Sequence, residues 1–74
     1  MMNETVTFPP RNGYAATFPV NSGRTWSNGH ATFAIVDSGH VGHSRYAIVG
    51  HGMVRFARSI EVAHEAARCM AQRV

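Results

Sequence analysis

Helical periodicity is confined to the C-terminal segment, where apolar residues recur at steps of three and four. The apolar stripe consists of Ile60, Ala63, Ala66, Ala67, Met70, Ala71 and Val74. Ser59 precedes it and can accept hydrogen bonds from the free amides of a first helical turn. We therefore predict a helix over residues 59–74 with one apolar face. Because alanine dominates that face, the helix can approach a flat partner closely, which favours a β-sheet beneath it.

The segment before the helix consists of short apolar or alternating runs separated by glycine, proline and asparagine, which is typical of strands and turns. The runs cover residues 5–8, 14–20, 25–27, 30–37, 45–49 and 53–57, with turns at 11–13, 21–23 and 50–52. Asn28-Gly29 predicts a two-residue type I′ turn that places Ser27 opposite His30 and Trp26 opposite Ala31. The nearly continuous apolar run before Asp37 predicts the central strand.

These elements predict an α+β fold in which an antiparallel β-meander of about four to five strands is packed by one C-terminal α-helix as a two-layer sandwich. The chain of 74 residues is long enough for one domain, which we assign to residues 1–74. A chain of this size buries only roughly 60% of its unfolded surface, so its stability margin is thin.

Composition limits where such a protein works. No apolar run approaches the ~20 residues that span a bilayer, and the first four residues lack the basic and apolar layout of a signal peptide. Cys69 is the single cysteine, which excludes an internal disulfide. We therefore expect a cytoplasmic protein without membrane contact, and we interpret Cys69 as a half-buried packing thiol beside the helix stripe.

All seven basic side chains are arginines, and they give a formal net charge of +3. The absence of lysine excludes Schiff-base and P-loop chemistry. Arginine makes bidentate contacts to phosphate and carboxylate and stacks on flat rings, so the bias favours recognition of an anionic or aromatic surface. The alternative is that arginine merely replaces lysine throughout the chain, since the arginines are spread along it.

Four of the five histidines directly follow a glycine at predicted turns. A metal site would form if His40 and His43, with His51 and Asp37, converged on one ion from two adjacent loops. Glycine loops hold ligands loosely, and the chain has neither an HExxH motif nor a cysteine pair. The pattern therefore favours solvent-exposed turn histidines, and we predict no metal and no cofactor.

Catalytic candidates are poor, because the four acidic residues are scattered and no spacing brings a nucleophile to a histidine. Cys69 with His64, or Ser44 with His43, would be the pairs to test. We predict a non-enzymatic protein. A small basic nucleic-acid-binding protein is the alternative, in which arginines and the interleaved Tyr46 and Phe56 of an exposed sheet would stack and neutralise a single strand.

The final hairpin and helix, residues 45–74, resemble in architecture the small proteins with which phages and mobile elements disable host machinery, the anti-CRISPR proteins among them. The resemblance implies a phage-encoded inhibitor that binds a host CRISPR effector or nuclease and blocks nucleic-acid binding or partner recruitment. It lies in the architecture and carries over no functional residue.

We therefore predict an interaction protein whose partner is a host protein or ribonucleoprotein complex, with nucleic acid as the alternative partner and a homodimer left open. The candidate contact residues are exposed ones near turns and on the last hairpin: Arg24, Trp26, His30, His40, His43, Arg45, His51, Arg55 and Arg58. Trp26 beside a turn is either a core residue or an interface anchor.

Overall fold

A computed structural model describes residues 4–11, 14–20 and 24–74 of the chain. The elements are, in order, β1 (Thr5–Arg11), β2 (Tyr14–Pro19), β3 (Arg24–Ser27), β4 (Thr32–Asp37), β5 (Tyr46–Gly50), β6 (Met53–Ala57) and α1 (Ile60–Ala71). The predicted α+β class is confirmed, with six strands among the described residues where four to five were expected. Positions 12–13 and 21–23, in two of the predicted turns, lie outside the described residues.

Strands β3 to β6 form an antiparallel meander in sequence order, while β1 and β2 pair as a separate two-stranded sheet. The prediction of a central strand is confirmed, since β4 lies between β3 and β5. Phe33, Ile35 and Val36 of β4 are fully or almost fully buried. Both faces of β4 are covered, which explains why its sequence is apolar without alternation.

The helix packs on one face of the four-stranded sheet. Its buried residues are Ala63, Ala67, Met70 and Ala71, and they share a core with Phe33, Ile35, Ile48 and Ala57 of the sheet. The Ser59 hydroxyl accepts from the amide of Val62 at 3.2 Å, so the predicted N-cap is confirmed. The helix ends at Ala71, however, and Val74 of the predicted stripe is exposed.

The β1–β2 hairpin covers part of the opposite face of the sheet. Val6 and Phe8 of β1 are buried against Val36 and Ala47 of the sheet. The Phe8 ring also meets the Phe18 ring of β2 edge to face, with centroids 5.5 Å apart. The hairpin therefore adds a third layer to the two that the sequence predicts.

The predicted type I′ turn at Asn28-Gly29 is wrong. Ser27 pairs with Thr32, so the β3–β4 loop contains four residues rather than two. Asn28 does not take a positive φ, and its Oδ1 instead accepts from the amides of His30 and Ala31, both at 2.8 Å. Side-chain hydrogen bonds of this kind offer the backbone an alternative to the tight turn.

The two-residue turn lies instead at His51-Gly52, between the paired residues Gly50 and Met53. Both turn residues have positive φ, 50° for His51 and 77° for Gly52, as a type I′ turn requires. This turn fixes the register of β6 against β5.

The solvent-facing side of α1 carries Cys69, which is exposed, so the prediction of a half-buried thiol is wrong. Cys69 is two residues from both Ala67 and Ala71, which places it about 200° around the helix from these buried residues. Arg68 on the same side donates to Glu65, and this hydrogen bond raises the pKa of Arg68.

No helix in the described part of the chain combines the length and hydropathy needed to cross a bilayer.

Candidate functional site

The candidate contact residues do not form one surface. The first group lies on β3 and in the β3–β4 loop and consists of Arg24, Trp26 and His30. The second lies in the β4–β5 loop and consists of His40, His43 and Arg45. The third lies in and after the last hairpin and consists of His51, Arg55 and Arg58. Each group therefore has to be assessed by its own surroundings.

The histidines that we considered as metal ligands are held apart by the sheet. His40 and His43 are exposed in the loop between the end of β4 and the start of β5, whereas His51 follows the end of β5. The five residues of β5 separate the two loops by roughly 15 Å, so they are not adjacent. Within residues 4–11, 14–20 and 24–74, no three His, Cys, Asp or Glu side chains are grouped closely enough to hold a metal ion.

His51 and His30 both contact other parts of the fold. The Nε2 of His51 accepts from the amide of Thr32 at 3.3 Å, and its ring lies 5.3 Å from that of Phe33. The Nε2 of His30 lies 3.2 Å from the carbonyl oxygen of Val74, so it connects the β3–β4 loop to the residues that follow the helix. Both imidazoles therefore help to position loops.

Trp26 and Arg45 also belong to the scaffold. Trp26 is half-buried beside the core on the helix side, with its ring 6.3 Å from that of Phe33. The Nε of Arg45 lies 3.6 Å from Oδ1 of Asp37, and its guanidinium carbon lies 5.2 Å from the centroid of the Tyr46 ring. Asp37 also accepts from the amide of Gly39, so these groups close the β4–β5 loop.

The aromatic residues of the nucleic-acid hypothesis lie on opposite faces of the sheet. Tyr46 is half-buried in the core on the helix side. Phe56 points to the other face, where its ring lies 5.6 Å from that of Phe8. A single strand stacking on both rings would have to contact both faces, so the exposed platform that we considered does not form from these two residues.

Strand β6 is an outer edge of the four-stranded sheet, and it combines free backbone groups with exposed apolar side chains. Among the described residues only β5 pairs with it. Gly50 and Met53 flank the two-residue turn and form a hydrogen-bonded pair. Hydrogen-bonded and non-hydrogen-bonded pairs alternate along an antiparallel ladder, so Val54 and Phe56 belong to non-hydrogen-bonded pairs. Their N–H and C=O groups therefore point away from β5. These two residues are 50% and 37% exposed.

A groove of about 330 Å³ runs between this edge and the C-terminal end of the helix. We call it the β6 groove, and its lining residues are Met53, Val54, Arg55, Met70 and Arg73. Arg55 and Arg73 are exposed, and within the described part of the chain neither forms an ion pair. The β6 groove thus joins apolar side chains to two cationic groups that have no counter-charge among the described residues.

Of the residues that build this edge, only Arg55 was predicted from the sequence as a contact residue. Val54 was detectable from the alternation of β6, where it opposes Met53 and Arg55, but its exposure depends on how much of that face the β1–β2 hairpin covers. Arg73 carried a weaker signal, since it follows Met70 by three residues and so lies near the same side of a helical turn.

The pairs considered for nucleophilic catalysis are not joined by hydrogen bonds in the described residues. Neither Cys69 with His64 nor Ser44 with His43 makes such a contact, and all but the half-buried Ser44 are exposed.

No family model, no curated protein and no solved structure matches the chain.

Proposed function

We propose that the protein is a non-enzymatic interaction protein that binds an extended segment of a protein partner along the outer edge of β6. The observation that supports this most directly is that Val54 and Phe56 combine outward backbone groups with exposed apolar side chains. An extended peptide that adds to such an edge gains main-chain hydrogen bonds, and its alternate side chains provide specificity.

Strand β6 also carries few of the features with which proteins protect sheet edges. Its register against β5 is regular from Met53 to Ala57, without a bulge, and it contains no proline and no lysine. Arg55 is its single charged side chain. An edge of this kind suits a strand-pairing partner better than it suits permanent exposure.

The partner class we propose is the one that the resemblance to anti-CRISPR proteins implies, a host CRISPR effector or nuclease in the cytoplasm. Binding would inhibit that partner by occupying a segment it needs for nucleic-acid binding or for recruiting another subunit. This function uses the scaffold and the edge of the protein, and it requires no chemistry from the chain.

The test uses two substitutions at one position. Val54→Pro removes the outward N–H without removing a hydrogen bond to β5, and proline is tolerated on edge strands. Val54→Thr keeps the N–H and the β-branched shape, so it is the matched control. Immobilised wild type and variants are incubated with nuclease-treated bacterial lysate, and the bound proteins are identified and quantified by mass spectrometry.

We expect the wild type and Val54→Thr to retain the same protein at about equimolar ratio and Val54→Pro to lose it, while all three keep the same circular dichroism spectrum. The activity of the retained protein should fall when wild type is added. Loss of every partner on nuclease treatment would instead identify a nucleic-acid-binding protein. Retention by Val54→Pro would show that the contact lies elsewhere.

A further inference from the structure

We propose that the segment bound along β6 is acidic at alternate positions, with carboxylates facing Arg55 and Arg73 and apolar side chains facing Val54 and Phe56. This inference rests on the proposed function and adds the chemical class of the partner. It follows from the way β6 divides its side chains between two faces with different surroundings.

The geometry of strand pairing sets the alternation. Residues directly opposite each other on paired strands point to the same face, with Cβ atoms about 4.5–5.5 Å apart. A partner residue opposite Arg55 therefore faces the helix side, where the β6 groove lies. Its two neighbours along the partner strand point to the other face, beside the exposed side chains of Val54 and Phe56.

Charge decides which side chains fit the helix side. The cations of the β6 groove, Arg55 and Arg73, have no carboxylate partner within the described residues, whereas Arg45 and Arg68 do. A carboxylate is the side chain that an arginine binds in bidentate fashion. The groove also has Met53 and Met70 in its lining, and methionine adapts to the carbon stem of a glutamate.

The opposite face disfavours an acid. Val54 also borders a groove of about 400 Å³ on the hairpin side, and Glu4 is the charged residue that lines it. A second carboxylate there would meet like charge, while an apolar side chain would meet Val54 and Val49. The two faces therefore select different side chains at neighbouring positions of the partner.

A second copy of the chain fits the same edge less well. In an antiparallel pair of β6 strands centred on its middle residue, Arg55 would lie directly opposite Arg55 of the other copy, and like charges in that position are destabilising. The formal charge of +3 on each copy adds to the repulsion. Acidic segments remove this conflict.

The experiment selects random heptapeptides displayed on phage against immobilised full-length protein, and the most enriched peptide is then synthesised. Fluorescence polarisation measures its affinity for wild type, Arg55→Gln, Arg73→Gln and the double variant. Arg68→Gln is the matched control, because Arg68 is an exposed arginine on α1 that does not line the β6 groove. Val54→Pro and Val54→Thr report whether the peptide binds along β6.

We expect Asp or Glu at every second position of the selected peptides. Each groove substitution should weaken binding about threefold and the double variant about tenfold, while Arg68→Gln leaves it unchanged. Raising the salt concentration should weaken the wild type strongly and the double variant little, since exposed charges are screened.

Peptides that require the Val54 N–H but show no acidic preference, or that bind the double variant as tightly as wild type, would overturn this inference and leave the proposed function standing. If no peptide binds, or if Val54→Pro binds as well as wild type, the proposed function itself is wrong. Self-association that Val54→Pro abolishes would assign the edge to a second copy and would also overturn the inference.

Discussion

Gly50 is a position at which the fold depends on the absence of a side chain. A Cβ atom built on Gly50 would lie 2.7 Å from Cδ1 of Phe33, 2.7 Å from the carbonyl oxygen of Thr32 and 3.3 Å from Cα of Phe33. Phe33 is fully buried, and two of the three atoms belong to the backbone of β4, the central strand. Gly50 does not have a positive φ, so the requirement for glycine is steric.

We therefore expect Gly50→Ala to destabilise the protein. Overpacking a core typically costs ~1–3 kcal/mol, and the backbone contacts place this case near the upper end. Alanine also lowers the entropy of the unfolded chain, which offsets ~0.4–1 kcal/mol, so the net loss should be about 2 kcal/mol. For a domain of this size that corresponds to a fall in Tm of roughly 8–16 °C, measured by thermal denaturation followed by circular dichroism.

Two further variants separate the steric cause from a general cost of replacing glycine. Gly52→Ala meets no atom within 4 Å but has a φ of 77°, so its loss of ~1–2 kcal/mol comes from backbone conformation alone. Phe33→Leu removes the aromatic edge from the Gly50 site. The cost of Gly50→Ala should shrink by about 1 kcal/mol in that background, while the cost of Gly52→Ala should not. Additive costs for Gly50→Ala and Phe33→Leu would refute the reasoning.

Three other substitutions test the turns and the helix cap, each by thermal or urea denaturation. Ser59→Ala should lose about 1 kcal/mol of stability, because the Val62 amide loses its acceptor, whereas Ser59→Asp should keep most of that stability. Equal stability of the Ala and Asp variants would show that the Ser59 side chain does not cap the helix. Asn28→Ala should lose about 1–2 kcal/mol, since two loop amides lose Oδ1, whereas Asn28→Asp retains the acceptor; an equally large loss in Asn28→Asp would contradict this. His51→Ala should be less stable than His51→Gly by about 0.5–1 kcal/mol, because φ at this position is 50°, which glycine adopts more readily than alanine. Both variants lack the imidazole, so the difference reports on the backbone alone. The reverse order of stability would show that the positive φ does not determine the cost.

The parts of the fold that the sequence predicted correctly are those governed by local interactions. The helix start at Ser59 depends on one side chain and an amide three residues later. The burial of Phe33, Ile35 and Val36 follows from a continuous apolar run, whatever covers each face. Local periodicity and capping therefore specified α1 and β4 without any knowledge of their neighbours.

The features that the sequence did not predict depend on competition or on distant segments. At Asn28 the side chain and the backbone compete for the same amides, and the dipeptide pattern does not reveal which wins. The β6 groove needs the end of α1 to lie beside β6, which brings Arg73 near Arg55 across eighteen positions of sequence. The metal site that we considered for the histidines, and did not predict, would need His51 beside His40 and His43, but the five residues of β5 separate the two turns.

The two cores of the sheet also have a consequence for how the protein opens. Ile35 and Val36 are neighbours in β4, yet the first belongs to the core under α1 and the second to the core under the β1–β2 hairpin. Among the described residues, the hairpin attaches through few buried side chains, chiefly Val6 and Phe8, so its detachment leaves the helix-side core intact. Amide hydrogens of β1 and β2 should then exchange with solvent faster than those of β4 and β5, through an opening in which the rest of the protein stays folded.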